Sequence, residues 1–258
     1  MSGLLSLAER ARFLSEKLKY SGINRKFLKS HPRIVFPPPY YIYETYKLRY
    51  DEYWLDGMET AREIMDMFEK TPGWPKNEVS ILDWGCGPGR VVRHLPALVP
   101  QGSNIYGADQ NPHYVQWCRR NLKSIRFSKV GIESTFEYPA SSLDAIISIS
   151  VFTHLSASHQ QSWMGEMYRV LKPNGLLYLT TQGEAFRSRL TPKEQSVFDE
   201  GNPVIREIKN EGNRLYASFQ PVSFIKKIIA DKWAILEFHP GSGGKKPAQD
   251  LWLLRSVK

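Results

Sequence analysis

The segment SILDWGCGPGRVV, residues 80–92, sets Gly85, Gly87 and Gly89 at alternate positions between two apolar runs, with Asp83 just ahead of them. Glycines so spaced let the chain turn sharply and let another molecule approach the backbone where side chains would exclude it. A carboxylate at the edge of that turn can hold a cation. A second acid, Asp109, closes the run Ile105–Ala108 about 20 residues past the glycines, a position from which a side chain can accept from both hydroxyls of a ribose. The spacing is G-x-G-x-G, whereas the dinucleotide fingerprint is G-x-G-x-x-G, and no lysine follows to make a phosphate-binding loop. The chemistry these residues suit is the binding of a nucleoside that carries an amino-acid tail. Their plainer use would be a strand-to-helix connection, with Asp109 capping a helix that opens on Asn111 and Pro112.

The surrounding pattern supplies elements to position them. From Ser80 onward, short apolar runs alternate with helical stretches. Strands are expected at Ile81–Asp83, Asn104–Ala108, Leu143–Val151 and Leu176–Thr181, and helices at Arg90–Leu98, Tyr114–Leu122 and Gln160–Leu171. That alternation predicts βαβ units, and so an α/β fold with a parallel sheet covered on both faces. The tail adds a helix near Val222–Ala230 and two strands, Ala234–His239 and Leu251–Val257, around PGSGGKKPAQD, an antiparallel hairpin that closes the sheet.

Residues 1–75 read as an N-terminal helical extension to a domain of residues 76–258. In the extension, Leu4, Leu7, Ala8, Ala11, Leu14 and Leu18 mark an amphipathic helix running to about Lys29, with a basic polar face. Such a helix can lie on an anionic membrane surface; the reading preferred here is docking on its own domain, with the cations solvated. FPPPYY then predicts an extended connector over residues 31–43, because proline interrupts a helix. A further helix is expected over about Asp56–Lys70, ending before Pro72-Gly73.

Composition narrows the setting. No stretch of the 258 residues approaches the roughly 18 uninterrupted apolar residues of a membrane span, and MSGLLSLAERARFLSEK places charges where a signal peptide keeps an apolar run. A soluble, unexported protein is expected. Cys86 and Cys118 cannot build a disulfide framework and no Cys/His cluster has zinc spacing, which points to a reducing compartment, the cytoplasm, and to packing roles for both thiols. The formal charge of +9 admits nucleic acid, anionic lipid or a phosphorylated substrate without choosing among them. No Asp/Glu/Asn set converges at the strand ends, so no metal is expected.

Four stretches in order, ILDWGCGPGR, IYGADQNP, SLDAIISISVFTHL and RVLKPNGLLYLTTQG, resemble the successive motifs of class I S-adenosylmethionine-dependent methyltransferases over about residues 79–183. The resemblance implies a Rossmann-like three-layer sandwich with a seven-stranded, mostly parallel sheet whose last strand is antiparallel. It implies that S-adenosyl-L-methionine lies with its methionine end at Gly85, Gly87 and Gly89, its amino group near Asp83 and its ribose at Asp109. Gln110, Ser150 and the backbone near Gly131 and Ile132, on the stretch that passes the adenine, complete the implied cofactor set. YDEYWLDG, VQWCRRNL, SVFTHLSASHQQSWMGEMYRVLKPNG and QDLWLLR further resemble bacterial methyltransferases of surface-glycan and related sugar pathways. One departure is Gln182-Gly183, where the resemblance would place a histidine before the glycine.

The sulfonium methyl would then point toward the ends of the fourth and fifth strands. His154 is the side chain nominated there as base for a hydroxyl acceptor, against the alternative of a structural histidine that hydrogen-bonds the following turn. Acceptor contacts are expected from Tyr50, Tyr53 and Gln182, from Lys245 and Lys246 in the hairpin loop, and from residues 184–220 as a lid. The lysines read equally as solvated turn residues. The leading expectation is O-methylation of a sugar or glycan-linked acceptor. N-methylation of a small amine and RNA binding through the basic extension stand as alternatives. Ser150-Val151-Phe152-Thr153 stands where base methyltransferases usually have Asn/Asp-Pro-Pro-aromatic, which argues against a nucleic-acid acceptor.

Overall fold

The computed structural model describes residues 7–133, 135–207, 210–212, 215–244 and 247–258. Leu4, which belongs to the amphipathic pattern, and Lys245 and Lys246 lie outside the described residues. The extension forms helices α1 (Leu7–Lys19), α2 (Ser21–Ser30), α3 (Pro39–Thr45) and α4 (Tyr50–Lys70). The single helix expected to Lys29 is two, divided at Tyr20, where ψ of 5° departs from helical geometry. The extended connector expected over residues 31–43 is corrected by α3. Pro39 sits in the first helical turn, where its missing N–H is no loss, so the proline run starts a helix rather than barring one. α4 starts earlier than Asp56 and buries Tyr53, Ala61, Ile64, Met65 and Phe68 along one face.

The core strands and helices follow as β1 (Ser80–Trp84), β2 (Asn104–Asp109), α5 (Pro112–Asn121), β3 (Arg126–Lys129), β4 (Leu143–Ser148), α6 (Ala157–Val170) and β5 (Leu171–Thr181). Then come α7 (Pro192–Asp199), β6 (Val204–Glu207), β7 (Tyr216–Phe219), α8 (Val222–Ile229), β8 (Trp233–His239) and β9 (Asp250–Ser256). Seven strands form one sheet in the order β3-β2-β1-β4-β5-β9-β8. β1 to β5 pair in parallel, and β9 runs antiparallel to both of its neighbours. This is the expected Rossmann-like arrangement.

Side chains alternate across the sheet and so build two cores. Ile81, Ile105, Ala145 and Ile147 pack with α4 and α5, whereas Leu82, Trp84, Ile146 and Leu177 pack with α6 and α8. β4 is buried at every position, as a parallel strand covered on both sides must be. The helix expected over Arg90–Leu98 is instead a 3₁₀ turn, Val92–Ala97, with Pro96 inside it lacking the N–H that an α-helical ladder would use. Between β5 and α8, α7 and the β6–β7 hairpin close on their own small core of Phe186, Leu190, Phe198, Val204 and Phe219. Among the described residues no helix is long and apolar enough to cross a membrane.

Candidate active site

The strand order reverses between β1 and β4, so the connections leaving their carboxyl ends diverge and open a crevice. A cavity of about 520 Å³ fills it. The cavity is lined by Asp83, Gly85 and Gly87 from the first turn, Asp109 and Gln110 from the end of β2, Gly131 and Ile132 after β3, and Ser150 and His154 after β4. Nine of the residues singled out from the sequence thus share one cavity. Gly89, Tyr50, Tyr53 and Gln182 do not line it.

The three glycines have separate reasons. Gly85 (φ 76°) passes the end of β4 so closely that a Cβ there would lie 2.3 Å from the Val151 Cγ2. Gly87 (φ 53°) forms cavity wall, with Thr45 of α3 the nearest neighbour at 3.6 Å. Gly89 (φ 81°) lets the turn pack on α5, where a Cβ would lie 2.8 Å from Leu122 Cδ1. The turn's amides do not point at a ligand. Gly85 and Cys86 donate to the Ala108 carbonyl at 2.7 and 3.1 Å, Gly87 donates to Asp109 Oδ2 at 2.8 Å, and Gly89 donates to Cys86 at 3.0 Å. The cradle is therefore made by bare Cα positions rather than by free N–H groups.

Two buried acids face this cradle. Asp83 is 3% exposed; burial pushes its pKa up to about 7, assisted by the nearby Asp109 and opposed by Arg90. Asp109 is also raised by burial, while the amides of Asn111 and Gly87 hold it back. Its Oδ1 accepts from Asn111 at 2.8 Å, and the cap of α5 is Asn111 rather than Asp109. Each Asp109 oxygen retains acceptor capacity beyond its one backbone bond. Both carboxylates could thus meet a cation or a pair of hydroxyls. An ammonium at Asp83, a ribose at Asp109 and a tail lying on Gly85 and Gly87 match S-adenosylmethionine in charge and hydrogen bonding.

The opposite wall comes from β4's end and the segment before β7. Ser150 holds φ 62°, unusual for a residue with a side chain, and is fixed by its N–H to Thr180 Oγ1 (2.8 Å) and its hydroxyl to Gln249 Oε1 (2.9 Å). His154 Nδ1 lies 2.8 Å from the Tyr216 carbonyl, and the His154 carbonyl accepts from Gly212 at 2.8 Å. Gly212 in turn accepts from Gln110 Nε2, so one short strand of chain crosses from the end of β4 to the end of β2. Glu211 ties that crossing to the start of α6, accepting from Ser156 N–H (2.5 Å) and contacting His159 Nδ1 at 2.8 Å. Trp163 lines the cavity, packs on Trp84 at 4.3 Å between ring centres and donates to the Ile132 carbonyl at 3.1 Å, which gives the Gly131–Ile132 stretch a rigid aromatic backing.

The N-terminal contribution differs from the one read in the sequence. Tyr53 is fully buried beside Ile42 and Leu48 and donates its hydroxyl to Pro88 at 3.1 Å, and Tyr50 stacks on Phe36 at 4.7 Å. In their place Glu44, Thr45 and Tyr46, at the end of α3, line the cavity. Glu44 accepts from the Tyr114 hydroxyl at 2.8 Å, and Tyr46 lies under the Arg90 guanidinium at 4.9 Å from the ring centre and donates its hydroxyl to Asp56. Reading α3 as a connector hid them; Pro39 as a first-turn residue was the signal that could have found them. The Gln182 carbonyl accepts from the Gln220 N–H at 2.8 Å, its own N–H donates to Gln220 Oε1 at 2.9 Å, and its Oε1 is buried without a described partner.

Residues 81–175 match the family model described as Methyltransferase domain. The mouse mitochondrial ubiquinone biosynthesis O-methyltransferase is 29% identical over 117 residues, 43% of this chain and 30% of that protein. The Schizosaccharomyces pombe tRNA N(3)-methylcytidine methyltransferase trm140 is 28% identical over 168 residues, 60% of this chain and 50% of that one. The chain thus spans half or less of the length of these curated relatives. Magnesium protoporphyrin IX methyltransferase from Synechocystis PCC 6803, solved with bound SAH, superposes with a TM-score of 0.58 over 93% of this chain and 99% of its own, at 12% identity, a likeness of fold. Fold, cavity and matched segment identify residues 81–175 as a methyltransferase domain of the S-adenosylmethionine-dependent kind. S-adenosylmethionine is the cofactor of that domain; by name, these two of its sequence relatives act at oxygen and at nitrogen.

Proposed function

We propose that the chain transfers the methyl group of S-adenosylmethionine to a hydroxyl oxygen of a sugar or glycan-linked acceptor. The observation that carries the choice of oxygen is the state of His154. A carbonyl can only accept, so the His154 nitrogen facing Tyr216 bears the proton and Nε2 keeps a lone pair. Burial lowers the pKa of the ring, partly offset by the Tyr216 bond, which keeps the imidazole neutral near pH 7. A hydroxyl must shed its proton as its oxygen attacks, whereas a neutral amine attacks with a lone pair already free. A neutral, oriented imidazole in the cavity wall serves the first need.

When bound, the cofactor supplies a methyl group already activated by the sulfonium. This chain's residues then hold the acceptor in line and take its proton. Asp83 would hold the ammonium, Asp109 the ribose, and Gly131 and Ile132, backed by Trp163, the adenine. Glu44, Tyr46 and Arg90 give the cavity a polar wall that suits a polyhydroxyl acceptor. The crossing at Gly212 supports the reading of residues 184–220 as an acceptor lid.

The test is His154→Asn assayed with a panel of sugar phosphates, amino sugars and lipid-linked glycans. Cofactor affinity is expected to stay within about threefold while turnover of hydroxyl acceptors falls about 100-fold or more. The wild-type rate is expected to drop as pH falls through the lowered His154 pKa, and the variant to lose that limb. Unchanged turnover, or activity confined to amine acceptors, contradicts the proposal.

A further inference from the structure

A helix docked through its leucines would bury them, and α1 does the reverse. None of its residues is buried, and Leu7, Leu14 and Leu18 are 86%, 54% and 76% exposed. The side turned toward the protein carries Glu9, Phe13 and Glu16, each half-buried, with the Phe13 ring 5.4 Å from those of Tyr40 and Tyr43 in α3. At about 100° per residue, Leu7, Ala11, Leu14 and Leu18 fall on one stripe that points away from Phe13. Arg10 and Lys17 run along one edge of the stripe, and Arg12 and Lys19 along the other, all exposed. α2 follows with Arg25, Lys26 and Lys29 exposed and no acid in its sequence. The docking preferred on sequence grounds is thus carried by the Phe13 side, and among the described residues the leucine face is left uncovered.

We infer that α1 and α2 form a binding surface for an anionic lipid bilayer. An apolar stripe between two rails of cations, with the glutamates on the far side, buries its leucines among acyl chains while the cations meet lipid phosphates. A polyanion such as RNA would pair the same cations and leave the leucines in water. A second copy would bring two sets of seven lysines and arginines together against only two glutamates each. The surface is coupled to the cavity by packing, since Phe13 rests on α3 and α3 ends in Glu44 and Thr45 of the cavity wall. Docking at a bilayer would therefore set the cavity one helix away from the headgroups. The inference concerns surface binding and does not depend on which acceptor is methylated.

The experiment is co-sedimentation of the full chain with vesicles of phosphatidylcholine alone and with about a third phosphatidylglycerol, at low and at raised salt. Two variants accompany it: Leu14→Asp with Leu18→Asp, and Arg10→Ser with Lys17→Ser. These positions are exposed, so thermal melting and cofactor affinity are expected to match the parent. Binding is expected to be about tenfold or more stronger to the anionic vesicles, to weaken with salt, and to be lost in the leucine variant and reduced in the cation variant. Absence of vesicle binding overturns the inference. So does binding that survives in the leucine variant and is matched by single-stranded RNA, which would mark a polyanion surface, or a concentration-dependent dimer abolished by the leucine variant, which would mark self-association.

Discussion

Burying Asp83 is costly to the fold, and that cost has a testable sign. Its folded pKa of about 7 exceeds the ordinary 3.8, so the folded state keeps a proton that the unfolded chain releases between those values. Stability from this group falls as pH rises from about 4 to about 7 and is level above that. A bound ammonium favours the carboxylate form, so cofactor affinity should rise with pH over the upper part of the same range. Asp83→Asn should raise the melting free energy at pH 8 by roughly 1–4 kcal/mol and weaken the cofactor by about tenfold or more. Thermal melts and titrations at pH 6 and 8 check both signs; a variant that loses stability at pH 8 would contradict the assignment. At this scale the sequence made position legible where a residue type answers one need: Gly85 and Gly87 of the bare turn, Asp109 at a strand end and His154 after β4 all line the cavity. Tyr50 and Tyr53 misled because an aromatic serves packing as readily as recognition, and only burial separates the two.

At the scale of elements, Gly87 and Gly89 sit in one turn for different reasons. Gly89→Ala places a methyl against Leu122 at positive φ and should destabilise the fold by about 1–3 kcal/mol while leaving cofactor affinity nearly unchanged below the melting point. Gly87→Ala meets Thr45 only at ordinary contact distance, so it should cost less stability and more affinity. Paired denaturation and binding curves decide this, and equal loss of affinity in both variants would count against it. The strands β1, β2, β4 and β5 were legible because buried parallel strands are apolar at nearly every position. β3 was not, since its four residues bury only Phe127. α3 was obscured by reading proline as a breaker without asking which turn it occupied. The β6–β7 hairpin was hidden in what the apolar pattern showed as a long connection.

For the molecule as a whole, the cavity is assembled from three distant parts of the chain: the end of α3, the crevice between β1 and β4, and the crossing at Gly212. Local periodicity finds each element but gives no distance between them, which is why Glu44, Tyr46, Arg90 and Trp163 surfaced only with the fold. All three parts converge on Asp109 and the glycine turn, so the central claim is a binding claim. It is tested most directly by isothermal titration of S-adenosylhomocysteine into the full chain and into Asp109→Ala. One molecule should bind per chain with a dissociation constant on the order of micromolar, at least about tenfold weaker in the variant. No heat from the parent protein, or equal affinity in the two, would contradict the account.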